Sequence, residues 1–177
     1  MPVFFTPEEY AVVVAACERL IPADDQPGAS DAGVADYIDT LLGAFAFDPP
    51  RIWAVHPRGS AFHPLAPHDE LAWRTRIEGS LGIAARERNG PTIGWQQRYR
   101  EGIAALGADF ASVDEQEQKV RLRADRDFLA LLHEHACEGM YGAPAYGGNR
   151  GLVGWSNVDF EGDVQPRGYT DAEVSGP

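Results

Sequence analysis

Between His133 and Glu138 the chain carries its densest group of chemically capable side chains: His133, His135, Cys137 and Glu138. On a helix, His133 and Cys137 share one face, and an imidazole beside a thiolate is a donor pair that zinc accepts. A zinc site needs further ligands, and neither an HExxH pattern nor a second donor pair accompanies this one. The alternative is that the histidines sit near a helix C-terminus and interact with its carbonyls and dipole. A stand-alone metal-dependent enzyme using His133, Cys137 and nearby carboxylates is thus one reading, tested by stoichiometric metal in the purified chain.

Just beyond, six glycines fall between Gly139 and Gly154, among Met140, Tyr141, Tyr146 and Trp155 and around Asn149-Arg150. Glycine permits tight reversals, and large aromatics pin such a loop to a surface. Arg150 suits a bidentate contact to a carboxylate on a partner, with Tyr146 and Trp155 as interface anchors. Equally, Asn149 can supply a left-handed turn while Arg150 ties the loop to its own acidic domain. The run is no nucleotide loop, because GxGxxG follows a strand and opens a helix, whereas these glycines follow a helix. GxxxxGK[ST], GxSxG, CxxC and CxxCH are missing as well. No catalytic, cofactor-binding or metal residue is therefore assigned to this chain.

The elements that position these residues read as helices. Thr6-Pro7-Glu8-Glu9 is a capping box with proline in the first turn, and Tyr10, Val13, Val14, Cys17, Leu20 and Ile21 form an apolar stripe behind it. Asp24 and Asp25 read as a solvated turn. A second helix is predicted over 30–45, with Val34, Ile38, Leu41, Leu42 and Phe45 inside. The stretch 46–67 holds five prolines among Trp53, His56, Phe62 and His63, which forbids a continuous helix or central strand. Helices follow over 68–87, weakened by Gly79 and Gly82 with Leu71, Ile77, Leu81 and Ile83 inside, and over 92–106. A last, long helix opens at a second capping box, Ser112-Val113-Asp114-Glu115, and ends near Gly139. The expected architecture is one mostly α domain of about five helices, with a long Pro-rich loop and a Gly/aromatic-rich extended C-terminal segment. Its core spans about 5–160 and its tail 161–177.

Composition narrows the function classes. A chain of 177 residues can bury a sizeable core, and 44% hydrophobic with 24% charged residues is ordinary for a globular domain. The net charge of −12, with fourteen arginines and one lysine, disfavours a nucleic-acid backbone as partner. The longest unbroken apolar run, Ala11 to Cys17, is far short of the ~20 residues of a membrane span. No basic region precedes it, so no signal peptide is predicted. Cys17 and Cys137 are the only cysteines. Cys17 reads as a small buried hydrophobe, while Cys137, beside the unusual loop, is a candidate for a disulfide to a partner in an oxidising compartment.

The run E-G-M-Y-G-x-P-x-Y-G-G-N-R-x-x-x-G-W, from Glu138 to Trp155, resembles the C-terminal signature of the gluconate 2-dehydrogenase subunit 3 family. Two weaker segments are similar to that family as well: Arg19 to Asp24 with Gly28, Asp31, Gly33, Val34 and Ile38, and Tyr99 to Leu106. The resemblance implies a small, cofactor-free subunit that binds a large FAD-dependent catalytic subunit of the glucose–methanol–choline type. Such complexes oxidise a sugar, aldonate or polyol and often pass electrons to a cytochrome subunit. The small subunit assists folding, stability and export of the large one, which implies the periplasm or cell envelope; without a signal peptide, the cytoplasm stays open. Tyr141, Tyr146, Asn149, Arg150, Trp155 and Cys137 are the candidate partner-binding residues. A third reading is a free-standing ligand-binding domain lined by Trp53, Trp73, Trp95 and Trp155, which stable, partner-free behaviour would favour.

Overall fold

Thr6 opens the first helix as the capping box predicts. Its hydroxyl accepts the Glu9 N–H at 3.2 Å, and the Glu9 carboxylate accepts the Thr6 N–H at 2.9 Å. The computed structural model describes residues 1–83 and 90–162 and contains eight α-helices among them. These are α1 (Pro7–Leu20), α2 (Ala29–Ala32), α3 (Val34–Leu42), α4 (Pro67–Ile77), α5 (Trp95–Leu106), α6 (Glu115–Ala124), α7 (Arg126–Tyr141) and α8 (Val153–Asn157). The protein is mostly α, and the only β pairing described is a single antiparallel bridge, Ala54 to Phe62.

All five expected helical segments are present, but two are broken. The helix predicted over 30–45 divides at Gly33, a left-handed residue (φ 69°) that ends α2 and begins α3. A Cβ there would also press on the Arg150 guanidinium. The long helix predicted from Ser112 divides at Asp125, which leaves helical geometry (φ −112°, ψ 95°) and caps α7 by accepting the Phe128 N–H at 3.0 Å. An aspartate that can bond the backbone two or three residues ahead competes with helix continuation, so the chain stops and restarts. The second capping box is also shifted, since Asp114 rather than Ser112 caps α6. Further, α4 stops at Ile77, Leu81 and Ile83 are exposed rather than inside, and residues 84–87 of the predicted helix lie outside the described residues.

One main core lies between α1, α3, α5 and α7. Val13, Cys17, Ile38, Leu42, Tyr99, Phe110, Leu132 and Met140 are buried within it. A smaller apolar cluster forms where the Pro-rich segment crosses α4 and α5, centred on Ala44, Ile52 and Ile77 with Trp73 and Trp95 against them. Such satellite cores are what anchors a long loop that lacks regular structure of its own.

The N-terminal segment is fastened to α3 by one buried carboxylate. Asp39 accepts the backbone N–H groups of Val3, Phe4 and Phe5, the latter two at 3.0 Å each. This seats Phe5 in the core, its ring 5.9 Å from that of Tyr99. Asp39→Ala is expected to lower the unfolding free energy by about 2–4 kcal/mol, because charge-assisted bonds are lost and three donors must find water. Asp39→Asn should recover part of that loss, and equal urea midpoints for Asp39→Ala and the parent would refute the arrangement.

Candidate partner-binding face

An α-helix leaves its last carbonyls without intrahelical donors. At the end of α7 the glycine-rich loop supplies them. Gly142 N–H reaches Glu138 O and Asn149 N–H reaches Gly139 O, both at 2.7 Å. Asn149 is left-handed (φ 45°) and completely buried. Its Nδ2 donates to Gly142 O at 3.0 Å, while Oδ1 accepts from Gly154 N–H at 3.0 Å and Trp155 N–H at 3.4 Å. The backbone runs so close to α7 that a Cβ at Gly148 or Gly154 would overlap the carbonyls of Gly139 or Met140. Trp155 closes the loop, its Nε1 donating to Tyr141 O at 2.8 Å. The segment expected to be extended is instead coiled into short 3-10 turns at 144–146 and 150–152 and the helix α8. Close packing on a helix end favours compact turns, since an extended chain would leave α7's carbonyls bare.

Arg150 folds back over α3. Its Nη2 donates to Asp36, whose other oxygen accepts the Tyr10 hydroxyl at 2.7 Å. Burial, then the Asp36 carboxylate, raises the Tyr10 pKa, so the phenol stays protonated. The guanidinium and carboxylate are both largely exposed, and an exposed pair is worth only about 0–1 kcal/mol. The loop's shape therefore depends on buried Asn149 far more than on Arg150. Tyr37 on α3 makes a parallel tie, donating its hydroxyl to Glu138 of α7 at 2.7 Å.

The Pro-rich segment meets this loop edge to edge. Around the Ala54–Phe62 bridge, Val55 N–H pairs with Ala61 O at 2.9 Å and His63 N–H with Trp53 O at 2.8 Å, making a short hairpin. Side chains on paired strands alternate between faces. Phe62 turns inward, its ring 5.8 Å from Tyr146, and the Ala54 N–H donates to the Tyr146 hydroxyl at 3.1 Å. Trp53 and Val55 are exposed. At the hairpin tip, Ala145 N–H donates to Pro57 O at 2.9 Å and Arg58 Nη2 to Glu161 O at 3.0 Å. Trp53, Val55, Tyr141, Val158 and Phe160 all keep 41–56% of their surface in solvent.

The candidate residues thus divide. Tyr141 and Arg150 are accessible, Tyr146 and Cys137 are half-buried, and Asn149 and Trp155 lie inside the chain, where they set the loop's shape. Sequence reasoning did not single out Trp53 or Val55 as contact residues, nor Arg51, Arg58 and Phe160; the available signal was the absence of any carboxylate between Asp48 and Asp69 in so acidic a chain.

The histidine and cysteine cluster also separates. Cys137 Sγ lies 3.7 Å from His133 Nε2 on the α7 surface, and partial burial, then Glu138, raises the thiol's pKa. His135 faces the core, with Nδ1 3.0 Å from the Tyr99 hydroxyl. Among the described residues no three His, Cys, Asp or Glu side chains converge as a metal centre requires. Both cysteines are free, and Cys17 is buried, its thiol pushed up to about 12 by desolvation. Nor do the four tryptophans line one cavity: Trp73 and Trp95 touch (6.4 Å between rings), Trp155 packs on Phe160 (5.0 Å) and Trp53 faces solvent. No helix among the described residues is long and apolar enough to cross a membrane.

No curated protein and no solved structure matches the chain significantly. The sequence profile described as gluconate 2-dehydrogenase subunit 3 matches residues 7–162, which span every helix above and both loops of the joined face. On that match over most of its length, the chain belongs to the gluconate 2-dehydrogenase subunit 3 family.

Proposed function

We propose that this chain is a non-catalytic small subunit that binds and stabilises a large FAD-dependent dehydrogenase of the glucose–methanol–choline type, which oxidises a sugar, aldonate or polyol. Membership of the subunit 3 family makes it a component of a dehydrogenase complex. The observation carrying the finer reading is the joined face of hairpin and glycine loop. Its exposed Trp53, Val55, Tyr141, Val158 and Phe160, accompanied by arginines, have the composition of a protein-binding surface. The glycines lie behind a helix and against its carbonyls, so they offer no cradle of N–H groups for a dinucleotide pyrophosphate. FAD, and any cytochrome that receives the electrons, belongs to the partners. The complex works at the cell envelope or in the periplasm, and the small subunit accompanies the large one during export.

The test is affinity purification of the tagged chain from its native host, with an absorbance spectrum and sugar-dehydrogenase assays on the eluate. A stoichiometric large protein with a flavin spectrum and sugar or polyol oxidation is expected. A lone, colourless, stable monomer would overturn the reading.

A further inference from the structure

Arg51 and Arg58 line one open hollow of about 370 Å³, together with Ser60, Phe62 and Pro144, where the hairpin meets the glycine loop. Elsewhere Arg19, Arg74, Arg121 and Arg150 each meet a carboxylate of the chain itself. Like Arg76, Arg98, Arg100, Arg123 and Arg126, Arg51 and Arg58 form no ion pair among the described residues. They are held by aromatic rings instead: the Arg51 guanidinium carbon lies 3.9 Å from the Phe47 centroid, and that of Arg58 lies 5.5 Å from Trp155. Stacking engages the flat face of a guanidinium and leaves its edge of N–H donors for carboxylates. One donor of Arg58 is spent on Glu161 O, which fixes the side chain. On its far side Arg58 borders a second hollow containing Asp159 and Glu161, and neither carboxylate pairs with it.

We propose that this hollow receives carboxylate side chains of the partner subunit, making Arg51 and Arg58 the charged centre of the docking face. The inference rests on the accessory-subunit reading and adds to it where the partner sits and what chemistry it presents there. Charge complementarity selects the place. An acidic segment nearing a chain of net charge −12 is repelled by most of its surface, but the hairpin stretch between Asp48 and Asp69 bears no carboxylate. A protein segment suits the site better than a free anion, because Phe62 and Pro144 line the hollow and exposed Phe160 lies in the adjoining one, and these gain from being covered.

The test compares affinities of the purified flavoprotein for three forms of this chain. These are the parent, Arg51→Glu/Arg58→Glu, and a control of equal charge change, Arg98→Glu/Arg123→Glu, on the exposed surfaces of α5 and α6. The hairpin double variant is expected to weaken binding by roughly 100-fold at low salt, with a smaller loss at high salt, while the control stays within about 3-fold. Arg51→Gln/Arg58→Gln should fall between, which separates lost attraction from added repulsion. Equal affinities for all forms would refute the carboxylate site while leaving the complex standing. If the parent captures no flavoprotein, the accessory-subunit reading fails and this inference falls with it. Thermal stabilisation of the free parent by inorganic phosphate, lost in the double variant while complex affinity is unchanged, would also refute it, by identifying a small-anion site.

Discussion

Asn149→Ala should lower the unfolding free energy by about 3–5 kcal/mol, a large effect for one polar residue of a loop. Three contributions act together. Removing Oδ1 strands the buried N–H of Gly154 and weakens the bond from Trp155. Removing Nδ2 strands Gly142 O at the end of α7. Alanine must also hold a left-handed backbone (φ 45°) that asparagine tolerates, at a cost of about 1–2 kcal/mol. Two variants separate these causes. Asn149→Gly keeps the backbone freedom and loses only the hydrogen bonds, so it should recover about 1 kcal/mol. Asn149→Asp keeps the acceptor but sets a carboxylate oxygen against Gly142 O, so it should do no better than alanine. Urea unfolding of the four proteins is the measurement. An alanine variant within about 1 kcal/mol of the parent would mean that the loop is not held in this way. On the proposed accessory-subunit role, the same variant should also bind the partner flavoprotein less well, since the joined face needs the loop's shape.

Acidification from pH 6.5 to 4 should remove about 3 kcal/mol of stability through His135 alone. The imidazole is completely buried, stacked on Tyr99 with ring centroids 5.7 Å apart and meeting Trp95 edge to face at 4.6 Å. Nδ1 has the Tyr99 hydroxyl as partner, while Nε2 has no hydrogen-bond partner among the described residues. Burial lowers the imidazole pKa to about 4 from 6.5, because the cation would be desolvated. The sign follows from proton counting. Below pH 6.5 the unfolded chain takes up a proton at this histidine that the folded chain refuses, so falling pH favours unfolding. The loss proceeds down to about pH 4 and then levels, since both states are protonated. His135→Gln keeps a hydrogen-bond partner for Tyr99 and cannot titrate. Urea unfolding from pH 7 to 4 should show the parent losing about 3 kcal/mol more than this variant. Parallel curves, or an NMR titration of His135 near its ordinary value, would refute the buried neutral imidazole.

The two residues also show what spacing can and cannot reveal. The wide apolar stripe of α7 places Leu131, Leu132, Ala136 and Met140 in the core as the helical period requires. His135 lies within that arc, yet a histidine in the run His133-Glu134-His135 gives no local sign of burial. Asn149 had two open roles, turn former and partner contact, and the turn is now visible because its amide meets groups five and seven residues away.

Helix content, the capping box at Thr6, the proline barrier after Phe47 and the family signature all rest on local chemistry. Neighbouring residues dictate backbone geometry at such points, so the sequence by itself determined them. The breaks at Gly33 and Asp125 were local too, but glycine and aspartate are tolerated inside helices often enough that only packing chose between continuation and interruption. The joined face belongs to tertiary structure alone. Trp53 lies about a hundred residues from both Tyr146 and Phe160, and no periodicity links them. A hydroxyl of Tyr146 on the Ala54 N–H and an Arg58 donor on the Glu161 carbonyl bring their loops together. Such long-range bonds form only after helices have packed, because closing loops of that length costs entropy that a single hydrogen bond cannot offset.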